Sequence, residues 1–452
     1  MSTSSFLTDF SSAPARQSEN AQAVDARPLP YVVSWNLTKR CDLECAHCYI
    51  SAGPMHTAEH EMTLEECRRV TDEIMALTPA PMFILTGGEP LIRTDLEDIA
   101  AYASSKGATV VVGTNGTGLT AERIDSLKQA GVMGFAVSVD SLESQYHDRF
   151  RHGDGALSLT TAAIDRLQEA EMDFIVQTTI THGNRHELSE LVAWSAEKGA
   201  VSFNLYFLVE TGRGSKMRTL TPEENEDVLL ELAELQKTYR GRMLIRSKCQ
   251  PQFMRHIHEQ DSESPLLNYS TRCPCGIQYC RITPDGKVTP CPYLPAQAGD
   301  LRSQSFGEIW DNSKLFQSIR GGELGGKCGS CEYAVVCGGC RARAYARTGD
   351  HMATDDSCLY EPTGKLPLIR PKTAITYGTM AAPTLVWTGE ADQRMQRIPS
   401  FVRSVVVKRV EDYAKRNGHT EITVDLLDAI RQDMPIDFSK KLPFFLRRKK
   451  KD

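Results

Sequence analysis

The chain has 452 residues, of which 41% are hydrophobic and 24% are charged, and its net charge at pH 7 is -6. The length predicts two or three domains with ordinary buried cores. The acidic balance argues against nucleic-acid binding as a main role, and no apolar stretch reaches the ~20 residues needed to cross a bilayer.

Residues 1–30 form a Ser-rich leader that lacks the basic start and apolar core of a secretory signal. Fourteen cysteines are nonetheless present, three of them between positions 41 and 48 and nine between positions 273 and 358. Without a secretory signal, clustered cysteines favour metal ligands over disulfides. Thiolates of this kind imply a reducing compartment, and we expect a cytoplasmic protein.

From about residue 31 to 210, short β-rich runs alternate with helical segments. Six strands are predicted at 31–37, 82–90, 109–116, 134–141, 173–184 and 201–209. Helices are predicted at 62–77, 121–130, 159–171, 186–199 and 221–240. Alternating β and α units predict a parallel sheet with right-handed crossovers. Six units are too few for a closed eight-stranded barrel, so the fold class is α/β with a partial (β/α)6 barrel.

A CxxxCxxC triplet follows the first strand, made of Cys41, Cys45 and Cys48. Three thiolates at this spacing can hold three irons of a cubane cluster and leave the fourth iron open to a small molecule. The triplet could also be part of a zinc site or consist of three unrelated thiols.

The glycine turn TGGEP follows the second strand and supplies Gly87, Gly88, Glu89 and Pro90. Glycines let the backbone approach a ligand closely, and ligands bind at the carboxyl ends of parallel strands. Together with the triplet, this turn resembles the core of the radical S-adenosylmethionine (radical SAM) superfamily over residues 31–210. The resemblance implies an enzyme in which a 4Fe–4S cluster and S-adenosylmethionine generate a 5′-deoxyadenosyl radical.

The resemblance also implies further cofactor contacts at the ends of later strands. The matching positions are Asn115, Ser138, Asp140 and Arg151. Each of them could equally be a capping or turn residue. His47 departs from the family pattern, because many members have an aromatic residue immediately before the third cysteine.

The second cysteine region, within 241–360, shows little periodicity and is expected to depend on metal rather than on a large apolar core. It resembles the SPASM extension of radical SAM enzymes, which implies two auxiliary 4Fe–4S clusters; one or two zinc sites are the alternative. By resemblance, the outer cluster has the ligands Cys328, Cys331, Cys337 and Cys358. The inner cluster has the ligands Cys273, Cys280, Cys291 and Cys340, and Cys275 could replace Cys273.

Residues 361–384 are proline-rich and are predicted to be a linker. Residues 385–452 predict a small helical domain with caps at Thr388 and Thr423 and a basic tail. Residues 386–432 resemble the C-terminal domain of the light-independent protochlorophyllide reductase B subunit.

The auxiliary region resembles that of radical SAM enzymes of the alternative haem and haem d1 pathways. This resemblance implies a tetrapyrrole substrate, side-chain decarboxylation or removal, and an electron donor such as flavodoxin or ferredoxin. Arg341 and Arg343 could pair with substrate carboxylates or be structural. A peptide- or protein-modifying maturase is the main alternative, and a non-enzymatic iron–sulfur carrier or zinc scaffold is a third.

Overall fold

The computed structural model describes residues 28–268, 272–364, 367–371, 383–395 and 400–433. Residues 1–27, which are most of the leader, lie outside these ranges, and so does the basic tail. The strands are β1 Val32–Thr38, β2 Met82–Gly87, β3 Thr109–Thr114, β4 Val132–Ser138, β5 Asp173–Ile180, β6 Ser202–Phe207, β7 Leu244–Lys248, β8 Tyr279–Ile282, β9 Lys287–Thr289, β10 Gly299–Asp300, β11 Val386–Trp387 and β12 Glu421–Ile422.

The helices of the first half alternate with the strands. They are α1 Leu64–Leu77, α2 Leu96–Ser105, α3 Ala121–Gln129, α4 Ser144–Arg151, α5 Ala156–Glu169, α6 Leu188–Glu197 and α7 Pro222–Thr238. The helices of the second half are α8 Phe253–Gln260, α9 Phe306–Asn312, α10 Lys314–Gly321, α11 Gly326–Gly329, α12 Arg341–Thr348, α13 Gly389–Met395, α14 Ser400–Arg416 and α15 Val424–Asp433.

The predicted α/β architecture is confirmed, and its sheet is wider than predicted. The sheet order is β10-β9-β8-β1-β2-β3-β4-β5-β6-β7. β7 pairs in parallel with β6, and β8 pairs in parallel with β1, whereas β9 and β10 are antiparallel additions. Both sheet edges therefore come from residues beyond 240, where we expected the auxiliary domain to begin.

Successive side chains on each strand point alternately to the two faces of the sheet. On β1, Val33, Trp35 and Leu37 are at most 1% exposed and join the main hydrophobic core with the helices. Ser34 and Asn36 point to the opposite, inner face. The same alternation on the other strands gives the barrel an apolar outer layer, whereas the inner face carries both apolar residues, such as Ile84, and polar ones, such as Asn204.

The cysteine-rich region contributes more apolar packing than its sequence predicts. Phe306, Ile309, Trp310 and Phe316 are buried in the same core as the barrel strands. The Trp310 indole also donates to the carbonyl of Pro28 at 2.7 Å. The expectation that metal alone would organise this region is wrong, because α9 and α10 pack directly on the barrel.

The C-terminal unit is helical, as predicted, and contains α13, α14 and α15. Thr388 and Thr423 accept hydrogen bonds from the N–H groups of Ala391 and Leu426, at 3.3 and 3.2 Å, as the cap prediction requires. The parallel pair of β11 and β12 was not predicted. No helix within the described residues is long and apolar enough to cross a membrane.

Candidate active site

The cysteine triplet lies in the loop after β1. The N–H groups of Leu43 and Ala52 point at the sulfurs of Cys41 and Cys48, at 3.4 and 3.3 Å. Burial raises the pKa of Cys45 to about 11 and also raises that of Cys41. A thiolate is therefore unfavourable here without a cation, and a bound metal supplies that charge and displaces the protons. The three sulfurs and their N–H donors fit an iron–sulfur cluster.

The glycine turn packs on the chain segment that enters the triplet. Gly87 has a φ of 136°, a conformation that favours glycine. A Cβ atom on Gly88 would overlap the carbonyl oxygen of Arg40, the residue before Cys41. The N–H of Glu89 donates to the same carbonyl at 2.9 Å. The glycines thus fix the position of the cysteine loop as well as the edge of the site.

The Glu89 carboxylate connects the ends of β2 and β3. It accepts hydrogen bonds from the N–H of Asn115 and the hydroxyl of Thr114, both at 2.8 Å, and from the N–H of Leu91 at 3.1 Å. These donors lower the pKa of Glu89, but burial has the larger effect and raises it to about 7. Pro90 follows as the first residue of a short 3-10 turn. The contacts of Glu89 give this residue a positioning role.

Asn115 is tied to the cysteine loop. Its side-chain amide donates to the carboxylate of Asp42 at 2.7 Å, and the hydroxyl of Thr117 bonds to the same carboxylate. Asp42 directly follows the first cysteine, so the loop after β3 holds the triplet through this residue. The sequence analysis did not single out Asp42.

Asp140 and Arg151 form a buried ion pair of 2.6 Å at the end of β4. Burial alone would raise the pKa of Asp140, but the guanidinium of Arg151 holds it below its usual value. Asp140 also accepts from the N–H of Thr179 at 2.7 Å, which links β4 to β5. Burial raises the pKa of Cys45, and the guanidinium of Arg151 partly offsets this rise because it lies close to the triplet. Ser138 ends β4 and is half-buried.

Two rings flank the third cysteine. His47 stacks on Phe150 of α4 with a centroid separation of 4.5 Å and an interplanar angle of 7°. Burial lowers the pKa of His47 to about 4, so the ring is neutral at pH 7. The hydroxyl of Tyr49 accepts a hydrogen bond from the amide of Asn36 at 2.7 Å, which directs its ring towards the barrel interior.

A segment after β6 also holds the cysteine loop. The side chain and the N–H of Arg213 donate to the carbonyls of Cys45 and Cys48, at 2.8 and 3.0 Å. A Cβ atom on Gly212, whose φ is 56°, would overlap the carbonyl of Cys48. The sequence analysis missed these residues, and the only local signal is the short run TGRG at the end of a strand.

Tyrosine rings line the inner face of the sheet. Tyr293 lies 5.2 Å from Tyr49 and 6.5 Å from Tyr206, measured between ring centroids. Tyr279 is hydrogen-bonded to Ser34, and burial raises its pKa. These rings are tilted against one another by 49–55° and form an aromatic wall beside the triplet.

Cationic side chains share this face. Lys248 pairs in register with Tyr206, and residues paired across parallel strands face the same side. Its ammonium forms no hydrogen bond or salt bridge within the described part of the chain, and burial, together with Arg246, lowers its pKa to about 8. Arg281 lies over the ring of Tyr49 at 5.9 Å. The inner face therefore combines aromatic surface with positive charge.

The four cysteines of the predicted outer set lie together. Cys328, Cys331, Cys337 and Cys358 line one small pocket beside α12. The N–H of Asp355 points at the sulfur of Cys328 at 3.4 Å. Burial raises the pKa of Cys337 and of Cys358, the latter to about 11. As with the triplet, buried thiols that face N–H donors fit a metal cluster.

The predicted inner set is only partly brought together. Cys273, Cys291 and Cys340 lie in one cluster, and Cys275 and Cys249 belong to the same cluster. Cys280 does not: it is 0% exposed and lies in the main hydrophobic core. Its neighbours Tyr279 and Arg281 point to the inner face, so the alternation of β8 turns Cys280 to the other side.

Arg341 and Arg343 are structural. Arg341 donates to the carbonyls of His351 and Ala353, at 2.9 and 2.8 Å. Arg343 forms a salt bridge of 3.1 Å with Asp355, in which the two side chains are 3% and 0% exposed. Neither guanidinium is available to a substrate carboxylate. Of the two roles that the sequence allowed, substrate binding and structural support, these arginines have the structural one.

Comparison with protein families assigns three parts of the chain. Residues 35–194 match the radical SAM superfamily, and residues 273–340 match an iron–sulfur cluster-binding domain named SPASM. Residues 387–431 match a family described as proto-chlorophyllide reductase 57 kD subunit. An AdoMet-dependent heme synthase from Methanosarcina barkeri is 38% identical over 346 residues, which are 74% of this chain and 98% of the relative.

This chain belongs to the radical SAM family. It is an enzyme that uses S-adenosylmethionine and iron–sulfur clusters, and its tetrapyrrole-related relatives include an Fe-coproporphyrin III synthase from Methanosarcina barkeri. That relative is 29% identical over 72% of this chain and 87% of its own length. Streptococcus suis SuiB with bound S-adenosylmethionine shares the fold, with a TM-score of 0.61 at 14% identity over 74% of this chain and 78% of SuiB.

Proposed function

We propose that this radical SAM enzyme oxidatively decarboxylates propionate side chains of an iron porphyrin. The observation that carries the proposal is the match to the AdoMet-dependent heme synthase, which spans 98% of that relative at 38% identity. The lower identity of 29% to an Fe-coproporphyrin III synthase favours the haem-forming reaction over the formation of its precursor.

Features of the barrel interior support the assignment of an anionic macrocycle as the substrate. Tyr49, Tyr206 and Tyr293 offer aromatic surface, and Lys248 offers an ammonium without a partner among the described residues. A charge-assisted hydrogen bond from an ammonium to a carboxylate contributes about 1.5–3 kcal/mol. Lys248 would thus orient one propionate.

The bound cluster and S-adenosylmethionine would supply hydrogen-atom abstraction from an unactivated carbon. Cys41, Cys45 and Cys48 would bind the cluster. Asp42 and Arg213 would keep the cysteine loop in place. The aromatic wall would hold the side chain close to the cofactor and exclude water, so that geometry selects the carbon that reacts.

Oxidative decarboxylation leaves one electron after carbon dioxide departs, because hydrogen-atom abstraction removes only one of the two. We propose two auxiliary 4Fe–4S clusters as its acceptors, one of them bound by Cys328, Cys331, Cys337 and Cys358. Full thiolate ligation suits electron transfer, since no open iron is needed. A flavodoxin or ferredoxin would supply the reducing electron for the first cluster.

The test uses anaerobic, reconstituted enzyme with S-adenosylmethionine, a chemical reductant and iron coproporphyrin III, which carries four propionates. The proposal expects 5′-deoxyadenosine in step with loss of carboxyl mass from the porphyrin. Formation of 5′-deoxyadenosine with an unchanged porphyrin would contradict the substrate and direct attention to peptides.

Lys248→Gln gives a residue-level test. Loss of one charge-assisted contact predicts a rise in the apparent Kd for the porphyrin of about tenfold to 150-fold. Lys237→Gln is the matched control, because Lys237 is exposed on α7. Equal porphyrin affinity in both variants would refute the role of Lys248.

A further inference from the structure

Five thiols gather between the barrel and the auxiliary region. We call Cys249, Cys273, Cys275, Cys291 and Cys340 the inner thiol group. The side chains of Cys249 and Cys340 are in hydrogen-bonding contact, and Cys275 makes the same kind of contact with Cys273 and Cys291. The group is larger by one than the four ligands that a fully coordinated cubane cluster needs.

Cys280 is separated from this group. It lies on β8 with its side chain in the apolar core, and the charged group that acts on it is the guanidinium of Arg320 rather than another thiol. To reach the inner thiol group, the side chain would have to cross to the other face of the sheet. A shift of one residue in the register of β8 would also turn Tyr279 and Arg281 away from the interior.

Cys249 has an unusual backbone conformation. It follows the last residue of β7 and has a φ of 61°, in the left-handed region that non-glycine residues seldom adopt. Its carbonyl accepts a hydrogen bond of 2.8 Å from Arg343, whose guanidinium is bound to Asp355. Such conformations cost free energy and persist where the surroundings hold them, often at functional sites.

Asp355, the partner of Arg343, also contacts the backbone of Cys340, a second member of the inner thiol group. Its carboxylate accepts a hydrogen bond of 2.7 Å from the N–H of Cys340. One buried ion pair, Arg343 with Asp355, therefore holds the backbone of both Cys249 and Cys340. Support of metal ligands by hydrogen-bonded neighbours is typical of metal sites.

We propose that Cys249 is a ligand of the inner auxiliary cluster, in the position that resemblance gives to Cys280. The other ligands are Cys291, Cys340 and one thiol of the pair Cys273 and Cys275. This inference rests on the proposed presence of an auxiliary cluster in this region. It connects the cluster to β7, the strand that carries Lys248 on the barrel's inner face.

The experiment compares Cys249→Gly with Cys280→Ala. Glycine suits a φ of 61°, so Cys249→Gly removes the thiol and relieves backbone strain at once. Both variants would be reconstituted anaerobically, and iron, sulfide and the electron paramagnetic resonance spectrum of the reduced protein would be measured. Circular dichroism would establish that each variant is folded.

Cys249→Gly is expected to lose up to about four irons per chain, or to change the signal of one auxiliary cluster, while Cys280→Ala retains both iron and signal. Unchanged iron and spectrum in Cys249→Gly would overturn the inference, and so would an equal loss in Cys280→Ala. Because these measurements need no porphyrin, they are independent of the proposed substrate.

Discussion

The buried pair of Arg343 and Asp355 permits a prediction whose size follows from its burial. The two side chains are 3% and 0% exposed and 3.1 Å apart. Burial alone would raise the pKa of Asp355, yet Arg343 keeps it below its usual value, so the carboxylate is charged in the folded protein. Arg343→Met removes the counter-charge and leaves that carboxylate in the core.

Removal of one partner from a buried ion pair costs about 3–5 kcal/mol of the free energy of unfolding. Arg347, one turn further along α12, is the matched control. It pairs with Glu210 and Asp356, but it is 24% exposed and these acids are 29% and 59% exposed. Arg347→Met is therefore expected to cost less than about 1 kcal/mol.

Anaerobic urea unfolding, monitored by tryptophan fluorescence, measures the loss in the free energy of unfolding for Arg343→Met and for Arg347→Met. Asp355→Asn and the double variant Arg343→Met with Asp355→Asn complete a double-mutant cycle. The double variant should be less destabilised than the sum of the single variants by about 0.5–3 kcal/mol. Equal costs for Arg343→Met and Arg347→Met, or strict additivity in the cycle, would refute the reasoning.

Three further predictions concern other parts of the fold. Gly88→Ala would push its Cβ against the carbonyl of Arg40 and should lower the rate of S-adenosylmethionine cleavage by about 100-fold; a wild-type rate of 5′-deoxyadenosine formation would contradict this. The pKa of Glu226 lies at about 2, because a histidine and an arginine outweigh its burial, so its stabilisation is present above pH 4.5 and is lost as the pH falls towards 2. Glu226→Gln should therefore cost about 1–2 kcal/mol at pH 7 after solvent screening, and this difference should shrink as the pH falls from 4.5 towards 2 in urea titrations, whereas the exposed Glu234→Gln shows no such trend. Trp310→Ala should cost about 3–5 kcal/mol even in chelator-treated protein; a cost that disappears without iron would show that metal, not apolar packing, holds α9.

The sequence by itself determined the local elements and the chemistry. The predicted strands at 31–37, 109–116 and 201–209 each lie within two residues of the observed ones, because alternating burial and glycine turns act over short stretches of chain. The triplet and the TGGEP turn could also be found directly, since their meaning depends on spacing within a few residues. At the start of the predicted helix 62–77, Thr63 and Glu66 form a capping box, which is another local arrangement of residues three positions apart.

The tertiary structure alone decided which distant residues meet. Cys249 and Cys340 are 91 positions apart in the numbering and come into contact only because β7 completes the sheet beside the auxiliary region. Cys280 has a spacing that suits a ligand, but its face on β8 depends on the register with β1. Strand register and side-chain direction are set by packing between distant segments, which one-dimensional spacing does not contain.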